Sequence, residues 1–193
     1  MIKVFSLIKV FLFSCLITNV ANAQTSTINK NEYENIVNFI KAQDIKCDWE
    51  WVGNEAYSAS NNIYNLSENL SLIGMLCTQG SPNSTQVWLF KDVTSTEKYE
   101  LITFAYPIID TLNNHRILGI SSRNRVYGSF FKQADGIIYS SLFHSAGDYS
   151  EDAQYELDYR PQFSIRRFLL TSFTADTNKD GIKKNNIFLE FEE

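Results

Sequence analysis

The sequence predicts a mainly β fold: an antiparallel meander, either a sandwich or a strongly curled sheet, with one N-terminal amphipathic helix against one side. Three observations lead there. Over most of the chain hydrophobicity alternates with a period near two, in short segments rich in β-branched and aromatic residues. The gaps between these segments are hairpin lengths, too short for the crossovers that parallel strands need. Only one stretch carries a helical period.

That stretch is Lys30 to Gln43. Tyr33, Ile36, Val37 and Ile40 fall on one face, and Lys30, Glu34, Asn38 and Lys41 on the opposite one. Asn29 with Glu32 three residues on resembles a capping box. The strand candidates follow in order: Lys46–Val52, Leu70–Cys77, Thr85–Phe90, Tyr99–Ala105, Arg116–Ile120, Arg125–Phe131, Gly136–Phe143, Ala153–Tyr159, Phe163–Phe173 and Asn186–Phe191. Asp135-Gly136 and Asp180-Gly181 read as hairpin turns. No low-complexity linker divides residues 24–193, which therefore read as a single domain.

Residues 1–23 have the three parts of a cleavable secretory signal. Lys3 and Lys9 supply the positive start, Val10 to Val20 a short apolar run, and Ala21-Asn22-Ala23 the small-x-small site before Gln24. The run is too short for a membrane span, which needs about 20 apolar residues. A lipoprotein reading through Leu12-Phe13-Ser14-Cys15 fits less well: Phe13 is bulky for that motif, and Cys15 lies within the run rather than at its end. The expectation is an exported chain, periplasmic if the source is bacterial and otherwise secreted, with no stable membrane insertion after cleavage.

Losing the signal removes two lysines and no acid, so the net charge moves from −5 to about −7. An acidic chain repels nucleic acid and anionic lipid, and a cationic protein is the easier partner. Cys47 and Cys77 are the two cysteines left, and an oxidising compartment joins such a pair in one disulfide. Their spacing matches neither a redox Cys-x-x-Cys nor a zinc knuckle.

Two segments, Ile63 to Gly80 (IYNLSENLSLIGMLCTQG) and Phe130 to Phe173 around LFHSAGDYSEDAQYELDYRPQFSI, loosely resemble uncharacterised β-rich domains exported to the bacterial periplasm. The resemblance implies a β-rich envelope protein. It brings no catalytic residue to carry over.

The foremost candidate site is the acidic, tyrosine-rich stretch holding Asp148, Tyr149, Glu151, Asp152, Tyr155, Glu156, Asp158 and Tyr159. On a strand, Tyr155, Leu157 and Tyr159 share one face, and Glu156 and Asp158 share the other with Arg160. Carboxylates could steer a basic protein there and tyrosines give it contact area; the plainer reading is a half-buried strand with a solvated outer face.

Weaker candidates come next. Asp176, Asn178 and Asp180, with Gly181, have the alternate oxygens and glycine of a calcium loop. Ile187 stands where that loop has its bidentate Glu, Lys183 replaces the expected apolar residue and Lys184 adds repulsion, so a polar turn is the simpler account and no cofactor is expected. His115 and His144 are the two histidines. His144 with Asp148 and a serine could be assembled into a triad, but no Gly-x-Ser-x-Gly elbow accompanies them. Trp49 and Trp51 share a strand face, a sugar platform or a core pair beside Cys47. Asn65, Asn69 and Asn83 stand in glycosylation sequons, which matter only in a eukaryotic secretory route.

Three functions fit these residues. The first is a non-enzymatic binding module, such as an inhibitor or immunity-type neutraliser. The second is an envelope hydrolase using carboxylates or His144, and the third a structural envelope component.

Overall fold

The computed structural model describes residues 28–49, 62–80, 84–109, 117–143, 150–176 and 187–190. The chain is mainly β, with antiparallel sheets and one helix. The helix α1 spans Lys30–Ala42. The strands are β1 (Asn62–Asn65), β2 (Leu70–Thr78), β3 (Thr85–Asp92), β4 (Tyr99–Leu101), β5 (Phe104–Ile109) and β6 (Ile117–Arg123). They continue with β7 (Val126–Tyr127), β8 (Phe130–Lys132), β9 (Ile137–Phe143), β10 (Ser150–Arg160), β11 (Ile165–Asp176) and β12 (Ile187–Glu190). No helix among the described residues is long and apolar enough to cross a membrane.

Most strands adjacent in sequence are also paired in space, the exceptions being β4–β5, β6–β7 and β7–β8. One sheet runs β1-β2-β3-β4, with β7 joined to β3, and a second runs β12-β11-β10-β9-β8. Strands β5 and β6 form a separate hairpin. Side chains of all three sheets meet in one core around Leu72, Trp88, Phe104, Ile138, Tyr155 and Phe173.

The first sheet is buried on both faces, and parity along its strands shows how. In β2 and β3, Leu70, Leu72, Trp88 and Phe90 point into the shared core. The alternate residues Ile73, Met75, Cys77, Val87 and Leu89 point to the opposite side, where Ile36, Val37 and Ile40 of α1 cover them. This two-sided burial explains why β2 reads as a nearly unbroken apolar run.

The capping box forms by half. Asn29 Oδ1 accepts from the Glu32 backbone N–H at 2.9 Å. The Glu32 side chain instead turns to the sheet, accepting from Tyr99 Oη at 2.7 Å and pairing with Lys91 and Lys98 at 3.0 and 3.1 Å. The other end of the connection is pinned by the Cys47–Cys77 disulfide, whose Cα atoms lie 4.6 Å apart.

Several elements depart from the sequence expectation. Residues 46–49 of the Lys46–Val52 candidate are not a strand: Asp48 N–H meets the Cys77 carbonyl once, and the chain then turns, with Trp49 N–H on the Cys47 carbonyl. The rest of that candidate lies outside the described residues. Tyr99–Ala105 divides at Ile102 and Thr103, where the chain leaves β4 and enters β5 of another sheet. Arg125–Phe131 divides at Gly128, whose φ is +41°. The short strand β1 had no expectation attached. At Asp135-Gly136 the expected turn is present, with Gly136 at φ +68°; Asp180-Gly181 lies outside the described residues.

Candidate functional site

Strand β10 carries the acidic stretch, and parity sorts its side chains. Glu151, Ala153, Tyr155, Leu157 and Tyr159 alternate on the face that holds the core residues Ala153 and Tyr155. Tyr155 is fully buried, meeting the Phe104 ring edge-on at a centroid distance of 4.9 Å. Tyr159 packs against the core in part. Asp148 and Tyr149 lie outside the described residues.

The opposite face is not uniformly acidic. Asp152 accepts from Ser141 Oγ on the neighbouring strand at 2.6 Å. Asp158 accepts from Arg160 Nε at 2.7 Å and from Arg167 Nε at 3.2 Å, and its side chain is only 6% exposed. Two guanidiniums thus surround one carboxylate, and the local charge there is positive. Glu156 is exposed, opposite Leu169 on β11. The run therefore presents Asp152 and Glu156 outward, sends Glu151 inward, and neutralises Asp158. The pairing with Arg167 was beyond sequence reading, because it depends on the β10–β11 register, which places Asp158 opposite Arg167.

On the inward face, partly buried Glu151 and Arg123 sit beside the core tyrosines Tyr106 and Tyr155. Burial pushes the Glu151 carboxyl up to about 7. Burial also raises the Tyr155 phenol; Glu151 adds to that rise, and Arg123 opposes it. The Arg123 guanidinium lies 3.4 Å from the centre of the Tyr106 ring, a close cation–π contact. The hydroxyls of Tyr106 and Tyr155 are both buried without a hydrogen-bond partner. Glu151, Tyr106, Tyr155 and Arg123 thus come from β10, β5 and β6, and only the packing of the hairpin on the second sheet assembles them.

Among the cavities lined by described residues, two open at the surface beside charged side chains. One, of about 590 Å³, is lined by Tyr159, Asp92, Glu100 and Arg166 among others. Arg166 there bridges Asp92, at 2.6 Å, and Glu100, so β11 is latched to β3 and β4. The Asp92 carboxyl is held down near 2 by the Thr94 hydroxyl and backbone N–H and then by Arg166. The other cavity, of about 540 Å³, lies between the α1–β1 connection and the β6–β7 turn, with Lys46, Arg123 and Arg125 in its wall. Sequence reading passed over these three cations; the Arg123-x-Arg125 spacing was the signal available.

The remaining candidates separate widely. Asp176 is the last residue of β11, paired with Ser150, while Asn178 and Asp180 lie outside the described residues. His115, His144 and Trp51 lie outside them as well. Trp49 is partly buried against the helix-side core, beside Cys47. Asn65 and Asn69 are exposed, and Asn83 lies outside the described residues.

No protein family, curated protein or solved structure matches this chain.

Proposed function

We propose that this chain is an exported, non-catalytic binding domain whose partner is a basic protein of the envelope or the surrounding medium. The proposed architecture is an antiparallel meander, a sandwich or a curled sheet, with an N-terminal amphipathic helix covering one sheet. The signal-like residues 1–23 and the Cys47–Cys77 disulfide support an oxidising destination.

One observation carries the binding reading. On the β5–β6 hairpin, Leu118 and Ile120 are 57% and 52% exposed on one face, while Ile108, at 44%, pairs with Gly119 and falls on the other face. No third strand joins this hairpin among the described residues. Adjacent exposed aliphatics on a two-stranded ribbon mark a contact surface better than scattered ones do. The acidic net charge then steers a basic partner, and the aliphatic face holds it.

The test is affinity capture with the oxidised, processed chain from its own envelope and culture fluid, at low and moderate salt. The expected result is one basic protein, shed as salt rises and lost with the Leu118→Asp/Ile120→Asp variant. An empty capture, or one unchanged by that variant, overturns the reading.

A hydrolase reading has one observation in its favour, the raised Glu151 carboxyl. Against it, Glu151 belongs to the lining of neither cavity described above. A Glu151→Gln variant that keeps full partner capture separates the two readings.

A further inference from the structure

We infer that the cavity walled by Lys46, Arg123 and Arg125 binds a small molecule through an oxyanion, a carboxylate or phosphate group. Its volume of about 540 Å³ lies in the range of small-molecule sites. Among the described residues its lining holds Lys46, Arg123 and Arg125 and one acid, Asp44, on a chain whose net charge is −5. The Arg123 guanidinium lies against Tyr106, so Lys46 and Arg125 are the cations offered to a ligand. Asn124, Tyr127 and Thr85 add neutral polar groups, and Ile45 contributes an aliphatic side chain. Such a wall suits a charged, polar ligand and rejects an apolar one.

Both guanidiniums and the backbone of Lys46 are held before any ligand arrives. The Arg123 guanidinium lies over the Tyr106 ring, 3.4 Å from its centre. Arg125 Nη1 donates to the Lys46 carbonyl at 3.0 Å, tying the two halves of the wall together. Lys46 precedes Cys47, which the disulfide joins to the end of β2, and Thr85 is paired with Tyr127 across β3 and β7. Among the described residues neither Lys46 nor Arg125 forms an ion pair, so their charge is available. Arg125 keeps further N–H donors for a two-pronged contact with an oxyanion. The negative charge of the whole chain repels extended polyanions, and the local positive wall therefore selects a small anion.

Titration calorimetry and thermal melting of the oxidised, processed protein test this, with sodium phosphate in one arm and sodium citrate in the other. Sodium chloride at matched ionic strength is the reference. The expected result is saturable binding in at least one arm, and which arm responds tells phosphate from carboxylate. Lys46 and Arg125 are exposed, so Lys46→Gln and Arg125→Gln leave the fold intact. Each weakens binding about tenfold, while the distant Lys132→Gln does not. No saturable response above chloride in either arm, or equal affinity in the Lys46 and Arg125 variants, overturns the inference. Neither outcome touches the protein-binding reading, which rests on the β5–β6 hairpin.

Discussion

Gly74 and Trp88 stand opposite each other on β2 and β3, and there is no room for a methyl group between them. A Cβ on Gly74 would lie 2.8 Å from Trp88 Cη2 and 2.9 Å from Cζ3. The indole cannot step aside: it is 1% exposed, and its Nε1 donates to Ser129 Oγ at 2.9 Å. Gly74→Ala should therefore destabilise the chain by about 1–3 kcal/mol through overpacking. Urea unfolding followed by tryptophan fluorescence measures it, and a midpoint equal to the parent's would contradict this packing.

Gly128 is constrained by the backbone instead. Its φ is +41°, and a Cβ there would meet the Ser141 carbonyl oxygen at 2.8 Å. Gly128→Ala should cost about 2 kcal/mol or more, from strain and contact together. Thermal melting should show a loss larger than that for Gly119→Ala, where a Cβ meets nothing within 4 Å.

Glu32 couples the helix to the sheet. Burial acts to raise its carboxyl, but hydrogen bonds from Tyr99, Lys91 and Lys98 outweigh it and hold the carboxyl below its ordinary value. A depressed carboxylate contributes stability above its unfolded pKa and loses it as pH falls through the folded one. Glu32→Gln should cost about 1–2 kcal/mol at pH 7, and the gap to the parent should close in acid. A gap independent of pH would place the cost elsewhere.

Glu151 has the opposite sign. With its carboxyl raised to about 7, the folded state prefers it protonated. Its contribution is complete below the unfolded pKa of about 4.5 and fades as pH rises through about 7. Arg123 and Tyr155 share its electrostatic surroundings. Glu151→Gln should match the parent near pH 4 and exceed it by about 1–2 kcal/mol at pH 8, after allowance for partial solvent access. Parallel stability curves for the two proteins across that range would refute the assignment.

The disulfide closes a loop across a separation of 30 residues. In the chain-entropy picture, replacing Cys47 and Cys77 by serine should cost about 3.5 kcal/mol. The loss should also appear on reduction of the parent and should not add to the double variant. Chemical denaturation with and without reductant gives both numbers.

Much of the fold was legible because it is local. Period-two alternation located most strands, Asp135-Gly136 its turn, and the 3.6 period of Ile36, Val37 and Ile40 the buried side of α1. The breaks at Ile102–Thr103 and at Gly128 were not legible, since each occurs where a strand changes neighbours rather than character. β1 escaped because four residues, Asn-Ile-Tyr-Asn, are too few to establish a period.

For the candidate site the division is similar. Strand parity alone places Tyr155 with Tyr159 and Asp158 with Arg160. That Asp158 is covered by Arg167 depends on the register of the β10–β11 hairpin, and that Glu151 keeps company with Arg123 and Lys46 meets Arg125 depends on chain segments far apart in sequence. By itself the sequence determined the β character, the order of most elements and the faces of their side chains, because backbone geometry repeats over a few residues. Only the tertiary structure decided which charges are neutralised and which converge, because Coulomb and hydrogen-bond terms act over a few ångströms of space and are blind to separation along the chain.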